Sequence, residues 1–206
     1  PTGGRAYVRG IWASTLGYRR SNNTFYWIGC TEFNRTYVFT ASRAEGPWQK
    51  RSRINNCYYD AGLLIDDDDT MYVAYGNGTI SVAQLSADGL SQVRTQQVFQ
   101  TPSSVGTLEG ARFYKRNGSY YIWLTRPANG QYVLKANNPW GPYEMRQVLL
   151  EYSDQAREMW RQDMRIYKNR KQPLVTLGLV ITMFGGVIIW AVPLLIQMMQ
   201  TLSGLS

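Results

Sequence analysis

The sequence predicts an all-β fold over residues 1–150, an incomplete β-propeller of about three blades, followed by a helix and one membrane-spanning helix. Three observations carry that prediction. A strand-and-turn pattern recurs near residues 24, 70 and 119. No helical periodicity interrupts it before residue 150. After that point the composition changes to a basic amphipathic stretch and then to a long run without charge.

The repeats align on Thr24-Phe25-Tyr26-Trp27, Thr70-Met71-Tyr72-Val73 and Ser119-Tyr120-Tyr121-Ile122. Each follows a polar turn: Ser21-Asn22-Asn23, Asp66 to Asp69, and Asn117-Gly118. Each precedes a second apolar run: Tyr37-Val38-Phe39, Ile80-Ser81-Val82 and Tyr132-Val133-Leu134. Aromatic and β-branched runs joined by Asn-Gly and Asp-rich turns read as antiparallel strands. Glu45-Gly46-Pro47-Trp48 in the first unit matches Trp140-Gly141-Pro142-Tyr143 in the third. A repeat of roughly 45–50 residues holding several strands has the size of a propeller blade. A plain β-sandwich is the alternative, but its strands need not repeat in register.

Residues 151–173 form the second segment. Within it Ser153 to Lys171 reads as a helix, capped at Ser153 or Asp154. Ala156, Met159, Trp160, Met164 and Tyr167 share one side, and Arg165, Lys168, Arg170 and Lys171 crowd its end. Residues 174–199, Leu174 to Met199, carry no charge. As a helix this run would extend roughly 39 Å at ~1.5 Å per residue, more than the ~30 Å hydrocarbon core of a bilayer. A transmembrane helix is expected there, with residues 200–206 as a short tail. The basic flank predicts a cytoplasmic N-terminal part. No secretory leader is legible at the start, where the sequence opens on Pro1.

Composition excludes several chemistries. Histidine is absent, so Ser-His-Asp and Cys-His catalysis and imidazole metal sites are ruled out. Two cysteines are too few for a four-cysteine zinc site. No metal and no cofactor are expected. Lys+Arg 22 against Asp+Glu 14 gives +8, but the surplus is spread thinly and forms no nucleic-acid motif, so no nucleic-acid partner is expected. The acidic run Asp66 to Asp69 lacks the alternating ligand spacing of a calcium loop and reads as a solvated hairpin tip. Cys30 and Cys57 read as strand-buried thiols, with a disulfide as the alternative in an exported domain. Four Asn-X-Ser/Thr sequons, at Asn22, Asn34, Asn77 and Asn117, mostly fall in predicted turns.

The carboxylates remain as candidate chemistry. Asp60 stands before Thr70 at the same offset as Glu109 before Ser119; Ser14 holds the matching place before Thr24. Equivalent blade positions converge on a propeller's axis, so Asp60 and Glu109 are expected to share one pocket. Two carboxylates in one pocket raise one pKa, which suits general acid work. The competing reading makes Asp60 a turn cap and Glu109 a surface charge. Trp12 and Tyr59 are candidate sugar-stacking platforms, whereas Trp27 reads as blade core. Arg112 is placed either on sugar hydroxyls, beside Glu109, or in a structural ion pair.

With those motifs in order, residues 5–150 resemble glycoside hydrolase family 43. The resemblance rests on Gly10-Ile11-Trp12-Ala13, Phe25-Tyr26-Trp27, Glu45-Gly46-Pro47-Trp48, the run from Asp60-Ala61-Gly62-Leu63 to Asp68, Tyr72-Val73-Ala74-Tyr75-Gly76, Glu109-Gly110-Ala111-Arg112-Phe113-Tyr114-Lys115 and Trp140-Gly141-Pro142-Tyr143. It implies a five-bladed propeller acting on plant-type arabinan or xylan glycans by an inverting mechanism. It implies that Glu109 is the general acid, that Asp60 tunes and orients that acid, and that Trp12, Tyr59 and Arg112 bind substrate. The family's third carboxylate, an Asp base on the first blade, has no counterpart: Asp60 is the first Asp, and the preceding Glu32 and Glu45 do not occupy the base's place. Three expectations follow: a glycosidase-like domain inactive as this piece, a membrane-anchored non-catalytic carbohydrate-binding propeller, or a propeller fused to an unrelated membrane tail. A glycan substrate favours the outside of the cell, against the topology that the basic flank predicts.

Overall fold

The computed structural model of the protein describes residues 11–127 and 130–149. The helix expected over Ser153–Lys171 and the membrane span expected over Leu174–Met199 lie outside the described residues. Among the described residues no helix is long and apolar enough to cross a membrane.

Among the described residues, twelve strands form three four-stranded antiparallel sheets, each built from consecutive strands. The first blade contains β1 (Thr15–Arg19), β2 (Thr24–Thr31), β3 (Arg35–Ala41) and β4 (Gln49–Ile54). The second contains β5 (Gly62–Ile65), β6 (Met71–Asn77), β7 (Thr79–Leu85) and β8 (Gln92–Gln100). The third contains β9 (Glu109–Arg116), β10 (Ser119–Arg126), β11 (Gly130–Ala136) and β12 (Glu144–Leu149). A short 3-10 turn, Arg20–Asn22, joins β1 to β2. The aligned repeats are the second strands, β2, β6 and β10, and the apolar runs after them are the third strands. The matched Gly46-Pro47 and Gly141-Pro142 peptides are both cis, at the same place in their blades.

The core lies between the sheets, and side-chain alternation explains it. Ile28, Val38, Ile54 and Tyr58 of the first blade and its exit pack on Met71, Val73, Ala83 and Leu85 of the second. Tyr72, Ala74, Ile80 and Val82 face the other way, onto Ala111, Phe113, Ile122, Leu124 and Leu134 of the third. Successive strand residues point to opposite faces. The middle blade is covered on both, so Met71 through Ala74 are all buried. On β2, by contrast, Tyr26, Ile28 and Cys30 are buried while Trp27 is 39% exposed. That corrects the expectation of Trp27 as core. It stands on the outer face of the first blade near Phe39 and Trp48, and its indole N–H donates to Ser14 Oγ at 2.8 Å.

Polar bridges join the blades at the end carrying the β1–β2 turn. Arg19 donates to Asp69 at 2.9 and 2.5 Å and to the Ala87 carbonyl at 2.5 Å. Lys115 and Tyr120 of the third blade donate to Asp66 at 2.5 and 2.6 Å. The acidic run is therefore not simply a solvated tip. Asp66 is buried and Asp69 is paired across blades, while Asp67 stays 87% exposed. No metal-binding group of acidic residues occurs among the described residues.

Cys30 and Cys57 form a disulfide, which corrects the expectation of two thiols. Cys30 closes the buried face of β2, and Cys57 lies in the crossover from β4 to β5 with its Cα 5.1 Å away. The sequence could not reveal this, because β3, β4 and the crossover separate the partners along the chain.

Candidate active site

The site assembles at the opposite end of the blades, where the inner strands β1, β5 and β9 begin. These strands pack side by side, and β5 comes so near β9 that a Cβ on Gly62 would lie 2.6 Å from the Ala111 carbonyl oxygen. Only glycine fits that approach. Ala61 N–H donates to the Ala13 carbonyl at 2.9 Å, and Leu63 N–H to Thr15 Oγ1 at 3.0 Å. The starts of all three inner strands are thereby stitched together.

Asp60 occupies the junction. Its backbone is left-handed, with φ 51°, a conformation that Asp and Asn tolerate better than most residues. One carboxylate oxygen accepts from Ala13 N–H and the other from Gly110 N–H, each at 3.1 Å. Burial, followed by the negative charge of Glu109, raises the Asp60 carboxyl above its ordinary value, against these two backbone donors. Those causes also put Glu109 within electrostatic reach of Asp60.

Glu109 opens β9 and is half-buried. Its Oε2 accepts from the Tyr59 hydroxyl at 3.2 Å and from Asn77 Nδ2 at 2.9 Å. Burial, then the charges of Asp60 and Glu109, push the Tyr59 hydroxyl up to about 12, so it remains protonated and donating at neutral pH. Tyr59 and Asp60 thus hold neighbouring positions on one crossover and address Glu109 in different ways, one by hydrogen bond and one by charge.

Trp12, Tyr59 and Phe33 form an aromatic cluster beside this pair. Trp12 lies with its ring 4.2 Å from Phe33 and 5.3 Å from Tyr59, centroid to centroid. Its indole nitrogen is buried without a hydrogen-bond partner among the described residues. Arg112 sits at the contact of β5 with β9. It donates to the carbonyls of Ala61 at 3.0 Å and Ala111 at 2.7 Å, and its charge acts favourably on ionised Asp60. It braces the β5–β9 contact beneath the carboxylates.

The structure therefore brings Asp60, Glu109, Tyr59 and Trp12 together and puts Arg112 behind them. Sequence reasoning missed Asn77 and Phe33. Asn77 was visible only as half of an Asn-Gly turn, a role that such residues fill without any site. Phe33 left one trace: a bulky aromatic in the turn between two strand runs.

The family model for glycosyl hydrolases family 43 matches residues 3–165. The chain belongs to glycosyl hydrolases family 43. A Xylanibacter ruminicola protein provisionally named a beta-xylosidase is 34% identical over 152 residues, covering 69% of this chain and 28% of that one. Xylosidase/arabinosidase 43B of Humicola insolens is 26% identical over 160 residues, 66% of this chain and 29% of that one. Among solved structures, a family 43 enzyme whose active site was engineered to display both endo-xylanase and exo-arabinofuranosidase activity is 54% identical, with a TM-score of 0.67. It matches 74% of this chain and 31% of its own. The chain thus spans less than a third of the length of these family 43 proteins, and its three blades are part of the family's propeller.

Proposed function

We propose that this chain carries the acid half of an inverting glycosidase site for xylan- or arabinan-type polysaccharides. One observation carries the reading: Glu109 is held by Tyr59 and Asn77 at hydrogen-bonding distance, beside an Asp60 carboxylate fixed by two backbone donors. Glu109 acts as general acid and protonates the leaving-group oxygen. Asp60 sets the charge next to it and, through Gly110 N–H, the position of the β9 start. Trp12 and Tyr59 line the sugar's path. An inverting pair needs a base about 6.5–9.5 Å from the acid, to admit water on the far side of the sugar. No residue before Asp60 in this sequence fits that role, so the chain alone binds glycan without rapid turnover. The names of the similar proteins support the choice of xylose- and arabinose-containing substrates.

The uncharged run Leu174–Met199 supports membrane attachment, and the Cys30–Cys57 disulfide supports a propeller on the oxidising side of that membrane. This opposes the orientation that the basic flank favours.

Hydrolysis of aryl xylosides and arabinofuranosides tests the catalytic reading, using this chain and a longer protein that adds the blade preceding it. The longer form should hydrolyse them, and Glu109→Gln should cost it about 10²–10⁴-fold in rate, the usual contribution of a general acid. Full activity of that variant would end the assignment. Extraction of the chain by carbonate at high pH, without detergent, would end the membrane reading.

A further inference from the structure

Among the described residues, Asn23, Asp69, Asn117 and Asp60 are the positive-φ residues of kinds that tolerate the left-handed region. The other two non-glycine cases are Glu32, with φ 58°, and Phe33, with φ 55°. They are consecutive, in the β2–β3 turn closed by Asn34 N–H to the Thr31 carbonyl at 3.2 Å. Two successive positive φ values are the signature of a type I′ turn, which strongly favours Asn-Gly. The β9–β10 turn of the third blade does carry Asn-Gly in that conformation, with Asn117 at φ 50° and Gly118 at φ 75°. A bulky aromatic in this conformation is costly for any hairpin and is retained only where the surroundings or the function require it.

The strained turn points an aromatic ring toward the candidate site. Phe33 is 56% exposed, so burial does not account for it. It stacks on Tyr59 with ring planes 7° apart and centroids at 5.6 Å, and it meets Trp12 at 4.2 Å. Tyr59 in turn donates to Glu109. The exposed ring therefore extends the aromatic wall outward on the side of the residue proposed to protonate the leaving group.

We propose that Phe33 is a specificity-determining residue: its free face stacks on a sugar ring of the leaving-group portion, one ring beyond the bond that Glu109 serves. The ligand is a pyranose of a xylan-type chain, whose axial C–H groups give the apolar face that an aromatic plane accepts. This rests on the reading of Glu109 above.

The test compares the binding of xylotetraose and of methyl β-xylopyranoside to the full chain by NMR titration. Phe33→Ala should weaken xylotetraose at least tenfold and the single-ring glycoside less than twofold. Phe33→Tyr should stay within threefold of the native chain for both. Phe33→Gly should lose xylotetraose like Phe33→Ala yet melt no lower than the native protein, because glycine relieves the left-handed turn. Native-like xylotetraose binding by Phe33→Ala overturns the proposal and leaves the Glu109 reading intact. So does equal weakening of both ligands, or a melting temperature lowered by Phe33→Gly, since either makes Phe33 a packing residue. Failure of the native chain to bind either ligand removes both the proposal and the glycan reading beneath it.

Discussion

Removing the Cys30–Cys57 disulfide tests the fold around the site most directly. The bond closes a segment with a sequence separation of 27. Chain-entropy bookkeeping for a loop of that size gives about 3.5 kcal/mol of destabilisation at 25 °C when the link is lost from the unfolded chain. The enclosed segment holds β3, β4 and the crossover up to Cys57, three residues before Asp60 in the sequence. Cys30 is fully buried, so the double variant Cys30→Ala/Cys57→Ala also loses sulfur packing, which adds to that figure. The assay is urea denaturation of both proteins, compared by extrapolated stability rather than midpoint, because freeing the loop exposes more chain and raises the denaturant slope. A melting temperature lower by at least about 7 °C should accompany it. A change under about 1 kcal/mol, or two thiols titrating in the folded native protein, would refute the pairing.

Three further outcomes are expected. Gly62→Ala should destabilise by about 2–3 kcal/mol in the same assay, at the upper end for overpacking, because its Cβ would meet the Ala111 carbonyl oxygen at 2.6 Å and backbone cannot step aside. Burial alone would raise the Asp66 carboxyl, but donation from Lys115, Tyr120 and the Asp67 amide holds it below the usual carboxylate range. A depressed folded value means stability that is present above the unfolded pKa and is lost as pH falls below about 4, so Asp66→Asn should flatten the acid limb of melting temperature against pH. In Glu109→Gln, the Asp60 carboxyl should titrate lower by carboxylate-resolved NMR, because the charge of Glu109 is the second cause of its rise after burial.

The parts legible in the sequence were those whose chemistry is local. Second and third strands alternate apolar residues against a core, so their repeats stood out, and the aligned offset of Asp60 and Glu109 followed from blade geometry. The outer strands did not stand out: β4 reads Gln-Lys-Arg-Ser-Arg-Ile, and only Ile54 of it is buried, so its polar surface hides the strand. Trp27 was misplaced for a related reason. Alternation reveals that two faces exist but not which of them a neighbouring blade covers, and the first blade is described with a neighbour on one face only. The backbone contacts of Arg112 were not legible, because carbonyl partners leave no signature in side-chain composition. Phe33 escaped because turn rules say what a turn prefers, and this one departs from them.

Asp60 shows why structure and chemistry cannot be separated at this site by activity alone. Its carboxylate accepts one N–H from the segment leading into the first blade and one from the start of the third, while the residue after it bonds the first blade and carries the carbonyl that Arg112 grips. A buried carboxylate is tolerable there because both oxygens are paired. Asparagine offers one acceptor oxygen in place of two, so Asp60→Asn leaves one of these amides unmatched and costs about 1–3 kcal/mol whether or not the site binds sugar. Lost activity in that variant would therefore mix a loosened junction with altered electrostatics. Glu109 is the cleaner probe, because its two observed donors are side chains at the rim and no backbone amide depends on its charge. If Glu109→Gln keeps the native melting temperature and binds oligosaccharide while Asp60→Asn melts lower, the two carboxylates divide as the geometry indicates: one presents the proton, and the other holds three blades in the register that lets it.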